Sequence, residues 1–183
     1  MRTIRTLVAL IVLLAAAAVG FAYSGIYDVA AITPEPQWLQ LTFSTVKDHS
    51  IERRAAAITA PPLSDPKALR TGLGHFREMC VSCHGAPGVE AAEFAKGLNP
   101  KPPDLAREAA EQSPAQLFWV VKNGIKMTGM PGFGGTHTDE QVWAVVAFLK
   151  QLPQLTPEKY QAMVREAGAA AGGREDRPGA LGE

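Results

Sequence analysis

Cys80-Val81-Ser82-Cys83-His84 is the stretch on which the reading of this chain turns. Its pattern is C-x-x-C-H, the spacing for covalent attachment of a c-type haem. Two thiols at i and i+3 at a helix end each reach one of the two vinyl groups of a single porphyrin, and the adjacent imidazole is then held under the iron. These are the only 2 cysteines in 183 residues. Other uses of such a pair meet obstacles. A thioredoxin-like redox pair belongs in a strand–helix–strand pattern, which is missing, and a zinc site wants two further ligands at paired spacing. His49, His75 and His137 are scattered and unpaired. A disulfide across this separation closes a very small loop and stabilises little.

A haem iron has either a sixth ligand or an open position, and the choice separates electron transfer from gas binding or catalysis. Downstream lies Met127-Thr128-Gly129-Met130-Pro131-Gly132-Phe133-Gly134. A methionine on a Gly- and Pro-rich loop between two well-marked helices belongs to the core of neither. Met130 is the better thioether candidate, because Gly129 permits close backbone approach and Pro131 stiffens the loop. Met127 reads as a packing or solvent-facing neighbour. Of the other histidines, His137 is the nearest to this loop.

Around these motifs the pattern is helical. Asp65-Pro66 reads as an N-cap and first helical position, followed by Leu69, Leu73, Phe76 and Cys80 on one apolar stripe. Residues 85–112 read as a folded loop with a short helix near 89–96. Ser113-Pro114 with Gln116 opens a helix that stops at Asn123-Gly124, and Thr138 with Gln141 opens a last one, with Val142, Val145, Val146 and Leu149 buried and Lys150 in its last turn. Strand-like alternation is missing from 64 to 153, so this domain is expected to be all-α. At about 90 residues its core is thin enough for a bound group to fill.

Upstream, the run from Thr6 to Tyr27 holds 22 uncharged residues behind Arg2 and Arg5. A membrane-spanning helix needs roughly 20 apolar residues and a signal-peptide core about 7 to 15. Length favours an anchor, while small-x-small triplets such as Gly20-Phe21-Ala22 leave cleavage open. Either way the positive-inside rule sends everything after Asp28 across the membrane. The organisation expected is an anchor or signal sequence over 1–27, a linker with an amphipathic helix over 28–63, a haem domain over 64–157 and a flexible tail over 158–183. In the linker, residues 37 to about 57 read as a spacer helix with Leu39, Phe43 and Val46 at helical spacing, packed on the domain or resting at the lipid surface. From Glu166 the sequence is Gly, Ala and mixed charge, and reads as disordered. Overall charge is balanced, 18 basic against 18 acidic residues, and 9 against 9 between Ser64 and Pro157. That argues against nucleic-acid binding and against long-range steering of a partner.

Gly72-x-x-x-Phe76-x-x-x-Cys80, Pro103-Asp104-Leu105, Thr128-Gly129-Met130-Pro131 and Val145-Val146-Ala147-Phe148-Leu149, taken with the C-x-x-C-H motif, resemble class I c-type cytochromes. The resemblance is to the membrane-anchored bacterial monohaem kind, and it covers about residues 64–152. It implies a cytochrome c fold, three main helices around one covalently bound haem, behind an N-terminal transmembrane helix. It further implies that Gly72 and Phe76 pack across the last helix against Phe148. The Pro103 carbonyl would accept from the free ring nitrogen of His84, Leu105 would pack on the haem, Met130 would be the axial methionine and Phe133 would lie beside the ring. Trp119 reads either as a haem-facing aromatic or as an ordinary core residue.

With Cys80 and Cys83 as attachment points and His84 and Met130 as metal ligands, the expected function is that of a one-electron carrier and not an enzyme. Its partners would be a redox donor and acceptor, with no small-molecule substrate. Its place would be the bacterial inner membrane with the haem domain in the periplasm, or the periplasm itself if the leader is cut. Alternatives are a gas-binding sensor with a displaceable Met130, a cytochrome subunit of a dehydrogenase or oxidase complex, and a small peroxidase-like enzyme using His137.

Overall fold

The computed structural model describes residues 1–175. It is 64% helix with no strand among the described residues, as the all-α reading expects. Two compact units divide it, Met1–Pro34 and the chain from Glu35 onward. In the first, helix α1 (Arg2–Tyr23) has 22 residues and none buried. Its most apolar stretch has a mean hydropathy of 2.4, and at 1.5 Å per residue it is about 33 Å long, enough to cross a hydrocarbon core. It ends four residues before the uncharged run does, where the Ser24 hydroxyl donates to the Phe21 carbonyl at 2.7 Å and Gly25 follows with φ +65°.

In the second unit, α3 (Pro66–Met79) and α7 (Asp139–Leu149) form the frame. Asp65 caps α3, its carboxylate accepting from the Lys67 and Ala68 N–H groups. The two helices cross at Gly72, where an added Cβ would lie 1.9 Å from the Ala144 carbonyl oxygen. One turn on, the rings of Phe76 and Phe148 meet at 5.0 Å, and Leu73, Phe76, Val142, Val145, Val146 and Phe148 are all less than 2% exposed. Removing a bare backbone-to-backbone approach of this kind would push those side chains apart, so the glycine sets the depth of the core.

Helix α6 (Pro114–Asn123) and α7 each begin with a complete capping box, Ser113 with Gln116 and Thr138 with Gln141. The two are joined by stacking of Phe118 on Trp143 at 4.2 Å and by a Lys122–Asp139 ion pair at 2.6 Å. The pair is half exposed, so the stacked rings contribute more than the charges. Helix α2 (Gln37–Ala55) packs on α6 through its C-terminal half, where Ile51 and Ala55 are buried and the Arg54 guanidinium sits 5.9 Å over the Trp119 ring. Of the two placings expected for Leu39, Phe43 and Val46, packing on the domain is not what is found, since Leu39 is half-buried while Phe43 and Val46 are exposed.

Three further elements complete the unit. Cys80 leads into the one-turn helix α4 (Val81–His84), a 3-10 turn spans Glu93–Gly97, and α5 (Leu105–Glu111) follows it. Helix α5 was not expected in the loop over 85–112. Its signals were the Asp104 cap and the strong helix formers of LAREAAE, masked by the prolines before them. The 158–183 tail also needs correcting. Pro157–Glu175 is helix α8, and residues 176–183 lie outside the described part. Tyr160, Met163, Val164 and Ala167 stand at i, i+3, i+4 and i+7, and that stripe packs on the core, with Tyr160 only 3% exposed and edge-on to Phe76. Burial pushes the Tyr160 phenol above its ordinary value, partly offset by Arg77.

Gly72→Ala is expected to destabilise by about 2–3 kcal/mol and to lower the midpoint of thermal unfolding by roughly 10 °C, because backbone atoms cannot yield as a side chain does. Gly74→Ala two residues on, where an added Cβ meets nothing within 4 Å, is expected to gain up to about 1 kcal/mol from helix propensity. Calorimetry on the pair checks both.

Candidate functional site

The site is built where α3 ends. The Cys80 N–H still donates to the Phe76 carbonyl at 2.9 Å, and the Cys80 carbonyl in turn accepts from Cys83 at 3.1 Å and His84 at 2.9 Å. That single turn sets both thiols and the imidazole. Gly85, with φ +69°, then breaks the helix, and an added Cβ there would meet the Val89 carbonyl at 2.7 Å. The chain doubles back through Ala86-Pro87-Gly88-Val89, closed by reciprocal backbone hydrogen bonds of 2.9 and 2.8 Å.

The His84 ring is held by a partner distant in sequence. Its Nδ1 lies 2.9 Å from the Pro103 carbonyl oxygen. A carbonyl only accepts, so Nδ1 carries the proton and Nε2 keeps its lone pair for a metal. The carbonyl is positioned in turn by Asp104, whose carboxylate accepts from the Ala106 N–H at 2.8 Å at the start of α5. At the far end of α5, the Lys150 ammonium donates to the carbonyls of Ala109 and of Gln112, the latter at 3.1 Å. Lys150, expected in the last turn of α7, stands at its C-cap and ties α7 to α5.

A cleft of about 740 Å³ opens on this arrangement, lined among others by Phe76, Cys83, His84, Pro103, Leu105 and Leu152. The volume lies within the range of about 300–1,000 Å³ usual for cofactor and ligand sites. Cys80 is buried beside it and does not line it. Burial, with a smaller contribution from Cys83, pushes the Cys80 thiol up to about 12, so it is a neutral thiol rather than a thiolate.

Met130 and Phe133 are outside the cleft's lining and belong to a second loop. That loop is closed on itself. The Ile125 N–H donates to the Met130 carbonyl at 3.1 Å, the Met130 N–H to the Thr128 hydroxyl at 3.0 Å, and that hydroxyl to the Ile125 carbonyl at 2.8 Å. Met127, at φ 59°, is turned out and 87% exposed, while Met130 and Phe133 are half-buried. The Phe133 and Gly134 N–H groups donate to the Val121 and Lys122 carbonyls at the end of α6, at 3.1 and 2.8 Å. Leu98, which sequence reasoning passed over, touches the loop, since a Cβ on Gly129 would lie 2.9 Å from its Cδ2. Its only signal was a lone aliphatic in KGLNPKPP.

Two of the three other histidines are not as scattered as the sequence reads. His75 on α3 meets His137 edge to face at 5.2 Å, and His137 also meets Phe133 at 5.7 Å. His49 stays apart on α2, 3.6 Å from Glu52. Among the described residues no three His, Cys, Asp or Glu side chains converge as a metal site, so the donors Cys80, Cys83 and His84 do not complete a zinc centre. Two thiols, one imidazole with a free Nε2 and an adjacent cleft do suit a macrocycle that brings its own metal.

Residues 67–149 match the family of cytochrome c oxidase, cbb3-type, subunit III. A curated 1-butanol dehydrogenase (cytochrome c) of Thauera butanivorans is 34% identical over 85 residues, 46% of this chain and 11% of that protein. A dihydro-heme d1 dehydrogenase of Pseudomonas aeruginosa is 33% identical over 87 residues, 48% of this chain and 16% of that protein. The chain thus spans less than a fifth of the length of these relatives.

Asp104→Ala is expected to cost about 1 kcal/mol through loss of the α5 cap. It is also expected to speed solvent exchange of the His84 Nδ1–H, because the Pro103 carbonyl loses its anchor. Urea unfolding and proton NMR check the two effects.

Proposed function

We propose, for a chain whose residues 67–149 match a family of c-type cytochrome domains, a role as a one-electron carrier with a single covalently attached haem c. Cys80 and Cys83 would hold the haem covalently, and His84 Nε2 and the Met130 thioether would hold its iron. The observation that carries this reading is the His84–Pro103 hydrogen bond beside Cys83 on the cleft. Haem c, when bound, supplies an iron that gains and loses one electron.

The protein's own groups determine how that electron is handled. The Pro103 carbonyl keeps the His84 ring in one tautomer and one orientation and raises its basicity. The Thr128 clamp presents Met130 from a closed loop, and a thioether favours the ferrous state and so a higher potential. Phe76, Leu105 and Leu152 exclude water from the cleft side. His84 and Met130, each held by hydrogen bonds within its own loop, would keep rearrangement small when an electron is gained or lost.

Helix α1 acts in this reading as an uncleaved anchor in the bacterial inner membrane, with the haem domain in the periplasm. Its length and exposure support this. The partners are redox proteins. Both relatives are named as dehydrogenases, which supports a dehydrogenase as the electron donor or as the complex this chain serves.

Optical spectra of the matured protein test the assignment. Met130→Ala is expected to abolish a far-red methionine-to-iron band and to make the ferrous form bind carbon monoxide, while the unmutated protein does not respond to it. Thr128→Val should keep the band at low temperature and lose it earlier on warming, at a cost of about 1 kcal/mol. A carbon monoxide response in the unmutated protein would instead assign the site to gas binding.

A further inference from the structure

Helix α2 has two halves of different chemistry. From Lys47 onward it carries Lys47, Asp48, His49, Glu52, Arg53 and Arg54, and there Ile51 and Ala55 are buried against α6. Residues 37–46, QWLQLTFSTV, carry no charge. At about 100° per residue, the stripe through Ile51 and Ala55 continues up the helix through Ser44, Gln40 and Gln37. The side that faces the domain is therefore polar in this half.

The large apolar side chains stand off that stripe and in solvent. Trp38 is 68%, Leu41 60%, Phe43 52% and Val46 60% exposed. Single exposed apolar residues need no explanation, but these four within nine positions of one uncharged helical segment cover a broad side of it, about 200° of the helix surface away from the Ile51–Ala55 stripe. The hydroxyls between them are turned inward. Thr42 donates to the Trp38 carbonyl at 2.7 Å, and Thr45 and Ser44 donate to the Leu41 carbonyl at 2.8 and 3.0 Å. Back-bonding of this kind satisfies each hydroxyl within the helix.

We propose that residues 37–46 of α2 lie in the headgroup and acyl boundary of the bilayer that α1 crosses, with Trp38, Leu41, Phe43 and Val46 as the buried face. This rests on the reading of α1 as a retained anchor. Tryptophan favours that boundary, and an uncharged half-helix enters it without desolvating an ion. The occupant follows from the tether. Only residues 24–36 separate the two helices, a reach of at most about 45 Å, so the lipid surface is held before α2 at an effective concentration on the order of millimolar. A weak affinity then suffices to hold the haem domain close to the membrane plane, where membrane-bound redox partners are met.

The test uses the full matured chain in vesicles of phosphatidylcholine and phosphatidylglycerol, with a protease site placed between Ile26 and Thr33. After cleavage, the fragment from Glu35 onward is expected to float with the vesicles. In the Trp38→Ser, Leu41→Ser, Phe43→Ser variant the floating fraction should fall at least tenfold, with the haem spectrum unchanged as evidence that the fold is intact. Release of the unmutated fragment on cleavage overturns this proposal alone, and retention on native membranes but not on lipid vesicles overturns it by assigning the face to a membrane protein. An uncleaved chain that fails to float overturns the anchor reading and this proposal with it.

Discussion

The closest constraint in the molecule is the backbone contact between α3 and α7 at Gly72 and Ala144, which admits no Cβ. The His84 side of the site hangs from it. With α3 fixed against α7, its last turn delivers Cys80, Cys83 and His84 at one place. The end of α7 delivers Lys150, whose ammonium holds two carbonyls at the end of α5. The start of α5 carries Asp104 and so the Pro103 carbonyl that orients His84. A helix crossing is thereby transmitted to a ring nitrogen through three hydrogen-bonded steps, at Lys150, at Asp104 and at Pro103.

The second loop is built on a different principle. Met130 is set by hydrogen bonds made within residues 125–130 and by two N–H groups that extend the end of α6. This loop therefore depends on Thr128 and on Gly124, whose φ of +67° begins it, more than on the core. Such independence suits the role proposed for Met130. The loop can be carried by the helices without being deformed by the packing between them, and a proposed ligand held in this way would need little rearrangement.

Helices with strong end signals were legible: α3 from Asp65-Pro66, and α6 and α7 from their capping boxes. Capping is local chemistry, written within four residues. The candidate ligands were legible for a similar reason, since C-x-x-C-H is complete within one turn and Met130 sits in an unusual loop. Helix α5 was missed because three prolines hid a cap and a run of helix formers. The α8 stripe of Tyr160, Met163, Val164 and Ala167 is short and runs straight into a Gly- and Ala-rich end, so its apolar side shows only once it packs on the core. In α2 the spacing of Leu39, Phe43 and Val46 leaves open whether they pack on the domain or face lipid; the domain takes the stripe through Ile51 and Ala55 and leaves Trp38, Leu41, Phe43 and Val46 in solvent.

Local pattern thus carried the helix ends, the apolar N-terminal helix and the identity of the two thiols and imidazole, because each depends on residues within a turn or two of one another. Long-range pairing carried the rest. Which carbonyl Lys150 seeks, that His75 and His137 touch, that Leu98 meets Gly129, and which side of α2 the domain covers are all set by how helices cross. Those crossings depend on side-chain volume and backbone approach summed over the whole core, and such sums leave no local mark on the residues that end up side by side.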